Sequence, residues 1–217
     1  MDQAIIFDMI KNVILDFGGV LFEIDYHAPH RAFEKLGWGN FNQDYSQASQ
    51  NEIYDLLETG KIEPEAFWQY LETKMPSASR DQIADAWNSI LLHPISHRIS
   101  KLSLLKDNYR TFLLSNTNAI HAPVFEDMMR KTGEWDTMEK AFEAIHYSQN
   151  LGQRKPHPAT FLHVCQLHGL QPEETVFVDD SIQHVRGSQL AGLVGLHLNG
   201  ETELFDLLST VGISINP

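Results

Sequence analysis

Short apolar runs bounded by turn-forming residues predict three buried parallel strands. These runs are rich in β-branched and aromatic residues and cover 13–15, 111–114 and 175–178. Each run stops at a polar or acidic residue, and these residues are Asp16, Ser115 and Asp179. Because the carboxyl ends of parallel strands line the ligand crevice of an open α/β sheet, we expect these side chains to share one edge.

The long segment between the first two of these strands has the spacing of helices. Apolar and aromatic positions recur at helical intervals in four stretches, which are 29–36, 51–57, 64–74 and 80–91. A crossover between parallel strands needs only about a dozen residues, so the surplus predicts a small helical cap inserted after the first strand. The aromatic residues expected in its core are Phe67, Trp68, Tyr70 and Trp87. We place the cap at 23–94 and the α/β core at 1–22 and 95–217.

Beyond Ser115 the pattern alternates between strands and helices. Two further strands are predicted at 144–148 and 193–198. Helices are predicted at 120–131, 138–144, 159–168, 182–190 and 203–208. Repeated βα units that share one sheet imply a doubly wound, Rossmann-like fold. The predicted fold class is therefore α/β, with a parallel-sheet core that carries the helical cap.

Composition narrows the classes of function. The 217-residue chain is 42% apolar, enough to bury a core, and its formal net charge is −13. This negative charge repels nucleic acid and anionic membranes, so we expect neither as a partner. The single cysteine, Cys165, lies in a helix-like apolar run and is expected to be buried, which fits a reducing, cytoplasmic location.

The N-terminal segment 1–10 lacks the basic and uninterrupted apolar regions of a signal peptide. It could form a short helix, a strand or part of a contact, and the sequence favours none of the three. No apolar run approaches the roughly 20 residues of a membrane span.

The segment KNVILDFGGVLFE, at 11–23, places Asp16 where a buried strand meets two glycines. The glycines allow a sharp turn and a close approach of the backbone to a ligand. A carboxylate at this point could attack phosphorus and bind a metal ion. An Asp that caps a tight turn gives the same pattern, and this segment alone does not separate the two interpretations.

Two further segments offer partners for a phosphoryl group. LLSNTN, at 113–118, presents Ser115 and Asn116, which can donate hydrogen bonds to phosphoryl oxygens, although both residue types also cap helices. Lys155, in the loop sequence RKP, could neutralise Asp16 and the phosphoryl charge together, although a lysine before proline is usually solvated.

Asp179 and Asp180 directly follow the third apolar strand. Two adjacent carboxylates repel each other unless they share a cation. Mg²⁺ fits this arrangement because it prefers oxygen ligands from one or two carboxylates together with water and phosphate. A solvated turn is the alternative, and the strongly apolar strand before the pair makes it the weaker one.

In order, spacing and strand context, these four segments resemble the four motifs of the haloacid dehalogenase-like hydrolase superfamily. The stretches DFGGVLFEID, LSNTN, SQNLGQRKP and TVFVDDSIQHVRGSQLAG further resemble the small-capped bacterial subfamily that includes the α-D-glucose-1-phosphate phosphatases. The resemblance spans most of 11–198, with poorer agreement in the cap and at 122–142.

The resemblance implies a magnesium-dependent phosphatase acting on a small phosphorylated metabolite, with a sugar phosphate such as glucose 1-phosphate favoured. Asp16 would take up the phosphoryl group as an aspartyl-phosphate, which water then cleaves. The catalytic residues it implies are Asp16, Ser115 and Lys155. The residues it implies for holding the substrate phosphate are Ser115, Asn116 and Lys155. The Mg²⁺ ligands it implies are Asp16, Asp180 and the carbonyl of Gly18, with Asp179 in the same motif.

One position departs from many superfamily phosphatases, which carry a second Asp two residues after the nucleophile as general acid and base. This chain has Gly18 there, as the α-D-glucose-1-phosphate phosphatases also do. A positioned acid contributes roughly 10²- to 10⁴-fold, so we expect slow turnover, a good leaving group or a substitute donor. Glu23, Asp25 and His27 are candidate donors that are also explicable as linker residues. His184 is expected to be a histidine on a helix surface.

Two other functions stay open. A 2-haloacid dehalogenase would use Asp16 to attack carbon without a metal ion, but the paired Asp179 and Asp180 speak against it. A sugar-phosphate-binding regulator that has lost turnover would keep the fold, with Gly18 as its support. An activity that requires a metal ion would argue against the dehalogenase. Stabilisation by a sugar phosphate without phosphate release would identify the regulator.

Overall fold

A five-stranded parallel sheet lies at the centre of the protein, seen in a computed structural model that describes residues 10–41, 45 and 51–215. Its strands are β1 (Asn12–Leu15), β4 (Arg110–Ser115), β5 (Ala144–Tyr147), β6 (Thr175–Asp179) and β7 (Val194–His197). They lie in the order β5-β4-β1-β6-β7, and every neighbouring pair is parallel. This order, with the first strand central and crossovers to both sides, is the predicted doubly wound topology.

The strand register brings the predicted polar residues to one edge. Leu15 pairs with Leu113 of β4 and with Val178 of β6, so Asp16 and Asp179 leave the sheet side by side. The amide of Asp16 donates to the carbonyl of Val178 at 2.9 Å. Ser115 ends the strand on the other side of β1. The carboxyl edge therefore gathers side chains that are far apart in sequence.

Helices cover both faces of the sheet. They are α5 (Ser96–Ile99), α6 (Leu102–Lys106), α7 (His121–Thr132), α8 (Glu134–Ala141), α9 (Ser148–Leu151), α10 (Pro158–His168), α11 (Ile182–Leu190) and α12 (Leu204–Ser209), with a 3₁₀ turn at Pro172–Glu174. Alternate residues of β1 point to opposite faces, as a strand requires. Val13 and Leu15 join one hydrophobic cluster, whereas Ile14 joins the other, which also holds Cys165. Cys165 is buried, as predicted.

In the described residues between 22 and 94, the chain forms a two-stranded antiparallel sheet and four helices. The strands are β2 (Phe22–Ile24) and β3 (Leu91–Pro94). The helices between them are α1 (His27–Lys35), α2 (Glu52–Glu58), α3 (Pro64–Lys74) and α4 (Arg80–Asn88). A third hydrophobic cluster lies among these helices, with Phe67 and Trp87 buried and Trp68 and Tyr70 packed at its margin. The assignment of 23–94 as a separate cap remains a prediction.

Two element predictions were wrong at their ends. The helix predicted at 80–91 ends at Asn88, and the following residues form β3 because they pair with β2, a partner distant in sequence. The helix predicted at 138–144 begins at Glu134, directly after Gly133. Gly133 has φ +80° and ends α7 in the left-handed conformation, so a new helix starts there.

Most of the N-terminal segment, residues 1–9, lies outside the described residues, so its three predicted alternatives stay open. Within the described part of the chain, no helix combines the length and the apolar character that crossing a bilayer requires.

Candidate active site

Three carboxylates converge at the carboxyl edge of the sheet. Asp16, Asp179 and Asp180 each place one oxygen within 4.8 Å of the others. Asp16 and Asp179 are buried, and Asp180 is partly exposed. Like charges at this separation repel strongly inside a protein, so the site needs positive charge to be stable.

Lys155 supplies part of that charge. Its Nζ donates to Oδ1 of Asp16 and to Oδ2 of Asp179, at 2.6 Å in each case, and the side chain is fully buried. Burial alone would lower the pKa of Lys155, but the two carboxylates outweigh it and raise the pKa. The lysine is therefore held charged between the predicted nucleophile and the predicted metal motif.

The two carboxylates that Lys155 joins have different proton affinities. Burial, together with the charge of Asp179, raises the pKa of Asp16 to about 7, although Lys155 opposes the shift. Burial would also raise the pKa of Asp179, but the charge of Lys155 and the hydrogen bond from His184 lower it to about 2. A bound cation would favour the ionised form of Asp16, which is the form that attacks an electrophile.

The backbone of Lys155 is held by Asn116. The side-chain Nδ2 of Asn116 donates to the Lys155 carbonyl at 2.9 Å, and its Oδ1 accepts from the Lys155 amide at 3.0 Å. The peptide bond between Lys155 and Pro156 is cis. In this structure the Asn116 amide thus positions the lysine loop, and its predicted contact with substrate phosphate stays a prediction.

Ser115 lines the same cavity as Lys155. Its side chain is buried, and Oγ donates to the Asn116 carbonyl at 3.5 Å, which is a long and weak hydrogen bond. Thr117, two residues after Ser115, is held by Ser148. Oγ of Ser148 accepts from the Thr117 amide at 3.0 Å and donates to the Thr117 carbonyl at 2.9 Å. The hydroxyl of Ser115 can therefore turn toward a ligand while the loop that follows stays in place.

His184 is not the helix-surface residue that we expected. It is buried in the first turn of α11, and its Nδ1 lies 3.0 Å from Oδ2 and 3.1 Å from Oδ1 of Asp179. The amide of Ser181 donates to the same carboxylate at 2.8 Å. Because a carboxylate only accepts, Nδ1 of His184 carries the proton and orients Asp179 toward Lys155. The position of His184 at the start of a helix after Asp179 was the signal available in the sequence.

The glycine turn after Asp16 closes tightly over Asp180. Gly19 has φ +72°, and a Cβ at this position would lie 2.5 Å from Oδ2 of Asp180. Arg98, which the sequence analysis missed, donates through Nη1 to the carbonyls of Gly19 and Val20 at 3.3 and 3.0 Å. The turn that contains Gly18 is thereby tied to the core.

A cavity opens at Asp16 and reaches the helical segment that follows β2. The core contributes Asp16, Ser115, Asn116, Lys155 and His184 to its lining, and the segment between β2 and the start of β3 contributes Tyr26, Tyr45, Glu58, Ile90 and Leu91. The three residues proposed as substitute proton donors, Glu23, Asp25 and His27, do not line this cavity. Glu23 lies 3.2 Å from His93, and Asp25 accepts from Arg31 at 2.6 Å. None of the three is therefore placed to protonate a group bound at Asp16.

The donor set suits a hard cation. Carboxylate oxygens at close quarters and a backbone turn pressed against Asp180 match the oxygen ligands that Mg²⁺ prefers. The buried charges of Asp16, Asp179 and Lys155 leave a net negative charge at this edge, to which Asp180 adds. The carboxylate of Asp16, the ammonium group of Lys155 and the hydroxyl of Ser115 line one cavity, an arrangement able to bind and attack a phosphoryl group.

The sequence matches the family of haloacid dehalogenase-like hydrolases over residues 10–192. The chain belongs to this family. The family and enzyme class predicted from the four motifs are thus confirmed.

Two relatives of this hydrolase are phosphatases. A D-ribitol-5-phosphate phosphatase from Bacteroides thetaiotaomicron is 28% identical over 183 residues, which are 82% of this chain and 86% of the relative. A sesquiterpene phosphatase from Aspergillus oryzae is 30% identical over 191 residues, which are 87% of this chain and 89% of the relative.

A solved structure of a haloacid dehalogenase-like enzyme has the same fold. It is a variant of an enzyme from Bacteroides thetaiotaomicron in complex with magnesium and inorganic phosphate. The two chains are 31% identical and superpose with a TM-score of 0.76, over 85% of this chain and 91% of the other. The predicted α/β fold class is confirmed by this likeness.

Proposed function

We propose that this haloacid dehalogenase-like hydrolase is a magnesium-dependent phosphatase that hydrolyses a small phosphomonoester through an aspartyl-phosphate on Asp16. A sugar phosphate such as glucose 1-phosphate is the favoured substrate. The observation that carries the proposal is the buried Lys155, which bridges Asp16 and Asp179 beside Asp180. This arrangement supports the proposal because phosphoryl transfer needs a nucleophile, a fixed positive charge and a bound cation around one reacting centre.

In the proposed mechanism, Asp16 attacks phosphorus through a carboxylate oxygen as the bond to the leaving oxygen breaks. Lys155 and the hydroxyl of Ser115 hold the phosphoryl oxygens during this transfer. Magnesium, held by Asp16, Asp180 and the carbonyl of Gly18, would neutralise the charge of the phosphoryl group. Water then attacks the phosphorus of the aspartyl-phosphate, which releases phosphate and restores the Asp16 carboxylate.

Leaving-group protonation is the weak point of this site. Gly18 offers no side chain, and the three candidate donors at the start of the helical segment lie outside the cavity. Because none of these four positions supplies a proton donor, leaving groups of low pKa should react fastest. The anomeric oxygen of a sugar 1-phosphate is a better leaving group than an ordinary alkoxide, which supports this substrate class.

The dehalogenase alternative explains the site less well. Attack on carbon forms an ester and needs no cation, whereas this edge crowds three carboxylates together. The two relatives are a D-ribitol-5-phosphate phosphatase and a sesquiterpene phosphatase, which also favours phosphoryl chemistry for this chain. No feature of the cavity specifically favours a regulator that has lost turnover.

The test is phosphate release from a panel of phosphomonoesters that includes glucose 1-phosphate and ribitol 5-phosphate, with magnesium or with chelator. Asp16→Asn is the matched variant, since it keeps the size of the side chain and removes the nucleophile. Release that needs both magnesium and Asp16 supports the proposal and ranks the substrates. Absence of release from every ester by folded protein would overturn it, and chloride release from a 2-haloacid without metal would indicate a dehalogenase.

A further inference from the structure

The C-terminal end of α2 is docked on the loop that carries Lys155. Arg154, directly before Lys155, places Nη1 2.5 Å from Oδ1 of Asp55 and Nε 2.8 Å from Oε2 of Glu58. At Gly60, just beyond α2, a Cβ would press into the backbone carbonyl of Gln149, 3.3 Å from its carbon. Ion pairs and a close backbone approach therefore fix the same end of this helix to 149–154.

The inner ion pair is shielded from water and the outer one is not. The side chains of Arg154 and Glu58 are 20% and 9% exposed, whereas that of Asp55 is 48% exposed. Exposed pairs contribute little because solvent screens them, whereas breaking a buried pair leaves a charge without compensation. The contact with Glu58 should therefore matter more than the contact with Asp55.

Arg154 and Glu58 both line the cavity that contains Asp16 and Lys155. The backbone of Lys155 is held on the core side by Asn116, so the lysine loop lies between an anchor in the core and an anchor on α2. A shift of α2 would pull on Arg154 and, through one peptide unit, on the lysine that joins the two carboxylates.

We propose that Arg154 and Glu58, with Asp55 at the outer edge, form a docking clasp through which the seating of α2 sets the position of Lys155. Arg154 and Glu58 are positioning residues, since they act through Lys155. The expected effect, weaker phosphate binding when the clasp is broken, rests on the proposed phosphatase function. The ion pairs between Arg154 and α2 are independent of that function.

The first test is the affinity for inorganic phosphate, measured by calorimetry with magnesium present. Glu58→Gln keeps the size of the side chain and removes its charge. We expect it to bind phosphate about tenfold more weakly or worse, the usual effect of losing a group that orients a binding residue. Glu65→Gln is the matched control, because Glu65 pairs with Arg80 at 2.6 Å and both belong to helices between β2 and β3. It should bind phosphate within about twofold of wild type.

A double variant separates positioning from stability. Glu58→Gln combined with Arg154→Gln removes both buried charges, so its fold should be more stable than that of Glu58→Gln alone. If the pair serves stability only, phosphate affinity returns with stability in the double variant, and the proposal is overturned. If the clasp positions Lys155, affinity stays low although the melting temperature recovers.

Hydrogen exchange gives a readout that needs no ligand. Peptides covering 149–160 should exchange faster in Glu58→Gln than in wild type or Glu65→Gln, because their anchor on α2 is lost. Equal exchange in all three proteins would overturn the clasp. If the wild-type protein neither hydrolyses any ester nor binds phosphate, the proposed function is wrong. The exchange experiment still shows whether the clasp holds the loop.

Discussion

A fully buried lysine can stay charged in this protein because two carboxylates meet it at hydrogen-bond distance. Lys155 joins Asp16 to Asp179, and Nδ1 of His184 contacts both oxygens of Asp179, including the one that accepts from Lys155. The carboxylates could be predicted from sequence, since each follows an apolar strand directly. The contact of His184 could not, because a position at the start of the helix after Asp179 is only a weak signal and does not show that the side chain faces the buried carboxylate.

Replacing Lys155 by Met should lower both stability and activity. The loss of the cation leaves two buried carboxylates facing each other, which should cost about 3 kcal/mol or more in the free energy of unfolding. Phosphate release should fall at least about a hundredfold, the usual effect of removing a group that stabilises a transition state. Urea denaturation and steady-state kinetics measure the two effects. Lys11→Met is the control, since Lys11 forms an exposed pair with Glu174, and it should change stability by less than about 1 kcal/mol.

His121 should make stability depend on pH. The ring is buried and stacks on Trp87, with ring centroids 4.6 Å apart, and burial lowers its pKa from 6.5 to about 4. In the unfolded chain the imidazole is protonated below pH 6.5, whereas in the native protein it stays neutral down to about pH 4. Stability is therefore lost as the pH falls from 6.5 toward 4.

The contribution of His121 to this loss should be about 2 kcal/mol between pH 8 and pH 5. His121→Phe keeps the stacking on Trp87 and cannot be protonated, so its unfolding free energy should fall less over this range. Denaturation curves at the two pH values measure the difference. Burial also lowers the pKa of His146, but this residue is present in both proteins and its contribution cancels. Equal losses in the two proteins would show that His121 is protonated in the native state.

At the scale of elements, the central strands were predictable and the small antiparallel sheet was not. β1, β4 and β6 are apolar because they are buried on both faces, and that pattern is local. β2 and β3 are short, half-exposed and paired across more than sixty intervening residues, so local periodicity gives no sign of them. The sequence therefore indicated helices throughout this segment.

A glycine in α11 controls how closely that helix approaches the lysine loop. At Gly187 a Cβ would overlap the carbonyl oxygen of Pro156 and lie 2.9 Å from its carbon. Gly187→Ala should therefore displace the loop and lower kcat, although alanine favours a helix by up to about 1 kcal/mol. Gly39→Ala is the control, since a Cβ there meets no heavy atom within 4 Å. Unchanged kinetics for Gly187→Ala would show that the backbone at Pro156 can shift while Lys155 keeps its position.

At the scale of the whole molecule, the site is assembled from distant parts of the chain. Asp55 and Arg154 are 99 positions apart, and Lys155 lies 139 positions from Asp16. Three of the four motifs could be found because polar or acidic residues follow an apolar strand, and the fourth because RKP is a distinctive loop sequence. The clasp between Arg154 and Glu58 could not, because an ion pair between a loop and a helix has no signature in either segment.

Magnesium should stabilise the whole protein through the carboxylate edge. A ligand that binds only the native state raises the melting temperature with its concentration. We expect this rise in wild type and its loss in Asp180→Asn, because Asp180 belongs to the three-carboxylate cluster. Thermal denaturation across a magnesium series measures the effect, with Asp206→Asn, in α12, as a control that keeps the rise. An unchanged rise in Asp180→Asn would place the ion elsewhere.

The most direct test of the account is to find the phosphoryl group on Asp16. Protein turning over a substrate with magnesium is quenched in acid, digested and examined by mass spectrometry. We predict one phosphoryl group on the peptide that contains Asp16, and none on the corresponding peptide of Asp16→Asn, which should also release no phosphate. Phosphate release at the wild-type rate by Asp16→Asn, or a phosphoryl group trapped on another residue, would contradict the account.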